Sequence, residues 1–130
     1  MKIKVLMIDD EEDFCFFTKK NLEKSREFEV IIENSPLKGI QAAIEEKPDL
    51  ILLDIIMPEL DGSEVAFRLV NDPRTKDIPI IFLTCLADEK DLGRYDGLSM
   101  VGGRPFIAKP CQTPQLIEII KDVLGRKQNP

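Results

Sequence analysis

The chain has 130 residues, the size of one domain with a substantial hydrophobic core. Hydrophobic residues make up 43% and charged residues 32%, as in ordinary globular proteins, and no apolar run approaches the length of a membrane span. The net charge of −6 disfavours direct binding to nucleic acid, and the absence of histidine excludes histidine-based catalysis and most zinc sites.

The first residues, "MKIKVLMIDD", lack a signal-peptide cleavage region because acidic residues follow the apolar run directly. We therefore expect a cytoplasmic protein without membrane insertion. The cysteines Cys15, Cys85 and Cys111 stand singly and form no C-x-x-C pair, which predicts reduced, partly buried thiols.

Five apolar runs recur at nearly even spacing and predict strands at residues 3–8, 28–32, 50–53, 78–83 and 106–108. Each run is nearly continuous rather than alternating, which is typical of strands covered on both faces. The segments between them carry helical patterns, at roughly 12–25, 35–47, 63–70 and 113–125.

The ends and faces of these helices can also be predicted. Ser35 is a candidate N-cap before Pro36, and Gly125 is the expected end of the last helix. The apolar spacing assigns the buried sides of the first two helices to the following residues: Phe14, Phe17 and Leu22, then Leu37, Ile40, Ala43 and Ile44.

Strands that alternate with helices predict an α/β fold, in which a parallel sheet carries helices on both faces. In such folds the functional crevice lies outside the carboxyl ends of the strands. Those ends carry polar side chains in four of the five predicted strands, at Asp9-Asp10, Asp54, Thr84 and Lys109-Pro110.

Each of these side chains has an ordinary explanation when taken alone. Asp9 and Asp10 could cap a helix, and Asp54 could start a turn. The hydroxyl of Thr84 could simply be hydrogen-bonded within the fold, and the ammonium of Lys109 could simply be solvated. Their convergence on one edge of the sheet is what favours a functional site.

One chemistry accounts for the whole set. Clustered carboxylates repel each other unless a cation intervenes, and a site made only of oxygen ligands suits Mg²⁺. Asp54 is then a candidate nucleophile toward phosphorus, with Lys109 and Mg²⁺ offsetting charge on the phosphoryl oxygens and Thr84 donating a hydrogen bond to one of them.

The motifs "MIDDEED", "LLDIIMPELDG", "FLTCLAD" and "FIAKP" resemble those of the receiver domain of two-component response regulators, in its CheY-like, single-domain form. The resemblance covers essentially the whole chain, with the receiver at residues 1–125 and a short polar tail at 126–130. It implies a flavodoxin-like (βα)5 fold, doubly wound around a five-stranded parallel sheet of order 2-1-3-4-5.

The resemblance also implies roles for individual residues. Asp54 would be the phosphoacceptor, and Asp10 and Asp54 would be Mg²⁺ ligands together with the backbone carbonyl of Ile56, while Asp9 assists through water. A histidine kinase or a histidine phosphotransfer protein would supply the phosphoryl group, in a switch that is not an enzyme beyond its own phosphorylation and slow dephosphorylation.

Three further positions match the switch that such domains use. Thr84 corresponds to the switch hydroxyl, Lys109 to the phosphate-pairing lysine, and Phe106 to the aromatic switch position. The face made by the fourth helix, fifth strand and fifth helix would then regulate a downstream protein that the sequence does not identify. A phosphorylation-dependent homodimer is left open.

The chain departs from the family pattern in several places. Phe106 has no hydroxyl, and the segment between Thr84 and Lys109 holds four of the seven glycines, which predicts an irregular fourth helix. Pro105 removes a ladder donor, which suits an edge strand. Ile56 and Leu86 occupy positions that tune acyl-phosphate hydrolysis in relatives, and because both are apolar we predict a long-lived phosphoryl group.

Other functions stay open at this point. An aspartate-nucleophile phosphatase would need D-x-D after the first strand, where this chain has "DDEED". A receiver-like scaffold would share the fold but work without phosphorylation. A flavin site would need a phosphate-binding loop after the first strand, and this chain has no such loop there. The kinase, the pathway, and whether the chain is a fragment of a larger regulator are not identified by the sequence.

Overall fold

The structure is a computed structural model that describes residues 2–84, 99–101, 104–109 and 111–128. The predicted fourth helix, Cys85, Leu86 and Pro110 lie outside these residues. No helix in the described part of the chain is both long enough and apolar enough to cross a membrane.

The described residues form six strands and four helices. The strands are β1 (Ile3–Ile8), β2 (Phe28–Glu33), β3 (Leu50–Asp54), β4 (Ile80–Thr84), β5 (Ser99–Val101) and β6 (Arg104–Ala108). The helices are α1 (Glu12–Lys24), α2 (Pro36–Glu46), α3 (Gly62–Val70) and α4 (Thr113–Gln128).

The strands lie in one sheet of order β2-β1-β3-β4-β6-β5. The first five of these are parallel and reproduce the predicted 2-1-3-4-5 order, so the flavodoxin-like fold is confirmed. The sixth strand was not predicted: β5 pairs antiparallel with β6 and occupies the edge. The expectation that Pro105 marks an edge strand was therefore wrong, because β6 has a neighbour on each side.

The core consists of two layers separated by the sheet. Val5 and Met7 of β1 pack into the cluster that includes residues of α1 and α4, whereas Leu6 and Ile8 pack toward α2 and α3. All four side chains are fully buried. Because successive strand residues point to opposite faces, a strand covered on both sides must be apolar throughout.

Two predictions of helix burial were wrong. Phe17 is 60% exposed, since α1 buries Cys15 and Leu22, which lie seven residues apart and therefore on one face, and Phe17 falls on the opposite side. Leu37 is 55% exposed, because α2 approaches the sheet through small residues; a Cβ added at Gly39 would lie 2.7 Å from Ile8 carbons.

The predicted helix ends were partly confirmed. Helix α2 begins at Pro36 after Ser35 as N-cap, although the Ser35 side chain makes no capping hydrogen bond. Helix α4 does not end at Gly125 but continues to Gln128. A Cβ at Gly125 would meet nothing within 4 Å, so the position is an ordinary, open helix site. The domain boundary at residue 125 stays a prediction.

Candidate functional site at the carboxyl edge of the sheet

The polar residues predicted from the strand ends lie together at one edge of the sheet. Parallel pairing aligns Asp54 at the end of β3 with Leu83 of β4, next to Thr84. The backbone N–H of Lys109 donates to the carbonyl of Thr84 at 2.7 Å, which fixes the chain after β6 beside the end of β4. The shared strand direction is thus what assembles the site from residues far apart in the sequence.

Three carboxylates form its centre. Asp9, Asp10 and Asp54 each offer one oxygen, and these oxygens lie within 4.8 Å of one another. Asp9 and Asp54 are buried, while Asp10 is exposed at the opening. The cluster therefore has a closed, charged floor and an open side toward solvent.

Lys109 is the cation that faces this cluster. Its Nζ donates to Asp9 Oδ2 at 2.9 Å and to Glu11 Oε1 at 2.5 Å, and it lies 3.7 Å from Asp54 Oδ1. The ammonium also lies 4.9 Å from the centroid of the Phe14 ring, within cation–π distance. The Lys109 side chain is only 4% exposed, so it is held within the site.

The electrostatics of the site show an excess of negative charge. Burial, followed by repulsion from Asp9, raises the pKa of Asp54 to about 7 despite the opposing Lys109. Burial likewise raises the pKa of Asp9. Burial alone would lower the pKa of Lys109, but its hydrogen bonds to Glu11 and Asp9 outweigh this and raise it.

The donor set fits Mg²⁺ rather than a softer metal. The three side chains offer only carboxylate oxygens, which are the ligands that Mg²⁺ prefers, and the exposed side of the cluster leaves room for water and phosphate oxygens. A divalent cation would also relieve the repulsion that raises the pKa of Asp54.

The remaining predicted positions are Ile56, Thr84 and Phe106. The Ile56 backbone N–H donates to Asp54 Oδ1 at 3.3 Å, and the Ile56 side chain is 56% exposed beside the site. Thr84 is buried at the end of β4. Phe106 is paired in register with Phe82 of β4 and belongs to the core layer beneath α2 and α3.

Sequence reasoning missed several residues that shape the site. Glu11 and Phe14 contact the Lys109 ammonium, and Asn34 Nδ2 donates to the Asp9 carbonyl at 2.9 Å. The Gly62 N–H donates to the Ile55 carbonyl at 2.6 Å, and a Cβ there would clash with the Asp54 carbonyl oxygen. Two sequence features could have pointed to these residues: the acidic run after β1, which contains Glu11, and the Asp-Gly pair after the Met-Pro turn, which contains Gly62.

Comparison with known proteins decides the family. The family model for the response regulator receiver domain matches residues 5–121. The chain belongs to this family. Receiver domains are the phosphorylation-switch modules of two-component signalling, and the carboxylate cluster described above lies within the matched segment.

Two curated relatives show how the chain compares with whole proteins. It is 34% identical over 122 residues to the polar-differentiation response regulator DivK of Brucella ovis, covering 94% of this chain and 97% of the relative. It is 36% identical over 126 residues to the phosphate regulon transcriptional regulatory protein PhoB of Rhizobium meliloti, covering 95% of this chain. The match spans only 52% of that PhoB, about half its length.

Solved structures share the fold. A putative response regulator from Chloroflexus aurantiacus superposes with a TM-score of 0.79 at 24% identity, over 97% of this chain and 100% of that one. A CheY-like receiver domain protein from Methanospirillum hungatei gives a TM-score of 0.79 at 22% identity, over 98% of each chain. At these identities the comparison establishes the fold.

Proposed function

We propose that this chain is a signalling switch whose Asp54 accepts a phosphoryl group from a histidine kinase or a histidine phosphotransfer protein, in a Mg²⁺-dependent reaction. One observation carries the proposal: Asp54 is buried beside two further carboxylates, all within 4.8 Å, with the Lys109 ammonium 3.7 Å from its Oδ1. Membership of the receiver family supports the same role.

Asp10 and Asp54 are the proposed direct ligands of Mg²⁺, with the Ile56 backbone carbonyl as a further ligand and Asp9 acting through water. Bound there, Mg²⁺ would offset the negative charge of the phosphoryl oxygens. The raised pKa of Asp54 supports this assignment, because it reports a charge that the protein alone does not balance.

Asp54 is the proposed nucleophile. One of its carboxylate oxygens forms a bond to phosphorus while the bond from phosphorus to the donor's imidazole nitrogen breaks, and the electron pair returns to that nitrogen. Lys109 orients the transferring group, and its positive charge, 3.7 Å from Asp54 Oδ1, stabilises the developing charge on the phosphoryl oxygens.

The aspartyl-phosphate then biases two states of the surrounding segments. The added group brings about −1.5 to −2 charge and three acceptor oxygens. Thr84 donates a hydrogen bond from its hydroxyl to one of these oxygens, and the resulting shift alters the packing of Phe106 and the face that includes β6 and α4. That face regulates a downstream protein or pairs with a second copy of the chain.

The same proposal assigns the remaining properties. The chain catalyses only its own phosphorylation and a slow loss of phosphate, and it acts in the cytoplasm without binding nucleic acid itself. Its net charge of −6 supports the last point, because the phosphate backbone of nucleic acid repels an acidic surface.

Mass spectrometry after incubation with acetyl phosphate and Mg²⁺ tests the proposal. We expect one added phosphoryl group on Asp54, lost in Asp54→Asn and retained in Asp61→Asn. Asp61 is a matched control, since it caps α3 through the Glu64 N–H at 3.0 Å and is exposed. Label at another residue in Asp54→Asn would refute the site.

Two further measurements separate the alternatives. Sustained turnover of small phosphomonoesters would favour an aspartate-nucleophile phosphatase, and we expect none. Beryllofluoride, an acyl-phosphate mimic, should perturb the amide spectrum of a phosphorylation switch in the presence of Mg²⁺. A scaffold that works without phosphorylation would leave the spectrum unchanged.

A further inference from the structure

The Lys109 ammonium is shared by two carboxylates that differ greatly in their access to solvent. Asp9, at 2.9 Å, is fully buried, whereas the side chain of Glu11, at 2.5 Å, is 57% exposed. Asp9 also accepts a second hydrogen bond, at 2.9 Å, from the backbone N–H of Glu11. Asp9 is therefore held more firmly in the site than Glu11.

Lys109 itself is fixed in place. Its side chain is almost fully buried and lies against the Phe14 ring, and its backbone N–H donates to the Thr84 carbonyl. Withdrawal of the ammonium into solvent would break its contacts with Asp9 and with the Phe14 ring. When an anion arrives at Asp54, the change must therefore come from the partners of the ammonium rather than from the lysine.

We propose that Glu11 is a displaceable counter-ion of Lys109, a positioning residue that occupies the ammonium before phosphorylation and leaves it when the phosphoryl group binds. This inference rests on the proposed function of Asp54. Glu11 thereby competes with the phosphoryl oxygens for Lys109 and lowers the affinity of the site for them.

Glu11 rather than Asp9 leaves because their desolvation costs differ. A buried carboxylate that loses its cation keeps its charge out of water, which is strongly unfavourable, whereas an exposed carboxylate is solvated at once. A phosphoryl group of about −1.5 to −2 charge also repels the anion that shares its cation. Of the two carboxylates that accept hydrogen bonds from the Lys109 ammonium, only that of Glu11 belongs to a side chain exposed to solvent.

Glu11→Gln, compared with Glu12→Gln, tests the proposal. Glu12 is the next residue, is exposed in the first turn of α1, and makes no ion pair within the described part of the chain. Amide NMR titration would measure the affinity for Mg²⁺ first, and then the affinity for beryllofluoride at saturating Mg²⁺. Both variants lose one negative charge near the site, so both should bind Mg²⁺ slightly more weakly.

The beryllofluoride affinity separates the two variants. We expect Glu11→Gln to bind it about two- to fivefold more tightly than the wild type, the range for one partly exposed ion pair, and Glu12→Gln to bind it about as tightly as the wild type. Equal affinity for beryllofluoride in the two variants, or weaker binding by Glu11→Gln, would overturn the proposed role of Glu11 and leave the proposed function of Asp54 standing. A wild-type chain that does not bind beryllofluoride would overturn the proposed function and this inference with it.

A structure of the beryllofluoride-bound wild type provides a second, independent readout. We expect the Glu11 carboxylate to lie beyond 4.0 Å from Lys109 Nζ, outside salt-bridge distance, while Asp9 keeps its contact. Glu11 remaining in hydrogen-bonding distance of Nζ beside the bound mimic would contradict the displacement.

Discussion

Replacing Asp54 by asparagine should stabilise the metal-free protein, even though it removes the proposed phosphoacceptor. The substitution keeps the size of the side chain and removes its charge from the buried cluster with Asp9. Burial and the Asp9 charge raise the pKa of Asp54 from 3.8 to about 7. That shift corresponds to an upper bound of roughly 4 kcal/mol, and relaxation of the site reduces it to about 1–3 kcal/mol.

The effect has a definite pH dependence. Because the pKa of Asp54 is higher in the folded chain than in the unfolded chain, the folded state binds the proton more tightly. The free energy of unfolding of the metal-free wild type therefore falls as the pH rises from about 4 to about 7, and Asp54→Asn lacks this contribution. The variant should match the wild type near pH 4 and exceed its stability most at pH 8.

Urea unfolding in the presence of EDTA, at both pH values, measures this difference. Asp72→Asn is the matched control, since Arg74 hydrogen bonds hold the pKa of Asp72 at about 2 and losing that charge should leave stability unchanged or slightly lower. Saturating Mg²⁺ should narrow the gap between Asp54→Asn and wild type. A variant no more stable than wild type at pH 8, or equally stabilised at pH 4, would refute the electrostatic account.

Three further outcomes follow from the site. Thr84→Ala should still accept phosphate on Asp54, measured by mass spectrometry, but without the usual change in the amide spectrum of residues near Phe106; an unchanged spectral response would count against Thr84 as the coupling hydroxyl. Ile56→Asn should shorten the lifetime of the phosphoryl group severalfold, because an exposed amide can orient water where the 56% exposed isoleucine cannot; equal label loss in both chains would contradict this. Gly62→Ala should lower the free energy of unfolding by about 1–3 kcal/mol, since its Cβ would clash with the Asp54 carbonyl; an unchanged urea midpoint would exclude that clash.

The central architecture could be predicted because its residues obey a strong physical constraint. A strand covered on both faces must be apolar throughout, and "LILL" before Asp54 meets that condition. The same topology brings the carboxyl ends of parallel strands to one edge, which is why Asp9, Asp54 and Lys109 could be expected to converge. In the structure the carboxylates of Asp9 and Asp54 lie 2.9 Å and 3.7 Å from Lys109 Nζ, which agrees with that expectation.

Other features depend on contacts that no sequence pattern specifies. The apolar spacing predicts Phe17 on the buried side of α1, but the rotation of a helix is set by which residues pack against the sheet, and in α1 these are Cys15 and Leu22. Strand β5 has only three residues, too few for a period to emerge. The contact of Glu11 with Lys109 spans 98 positions and depends on a side-chain rotamer at the edge of the site.

The raised pKa of Asp54 is a stronger argument for a functional role than the positions of the neighbouring groups alone. A side chain retained only for structure would be expected to stabilise the fold, yet burial and Asp9 act against the charged form of Asp54 and raise its pKa to about 7. An amide would satisfy the Ile56 N–H through the same oxygen position without that cost. A carboxylate whose charged form is disfavoured in the metal-free chain is accounted for by the proposed function, in which a divalent cation and a phosphoryl group would use that charge beside the Lys109 ammonium.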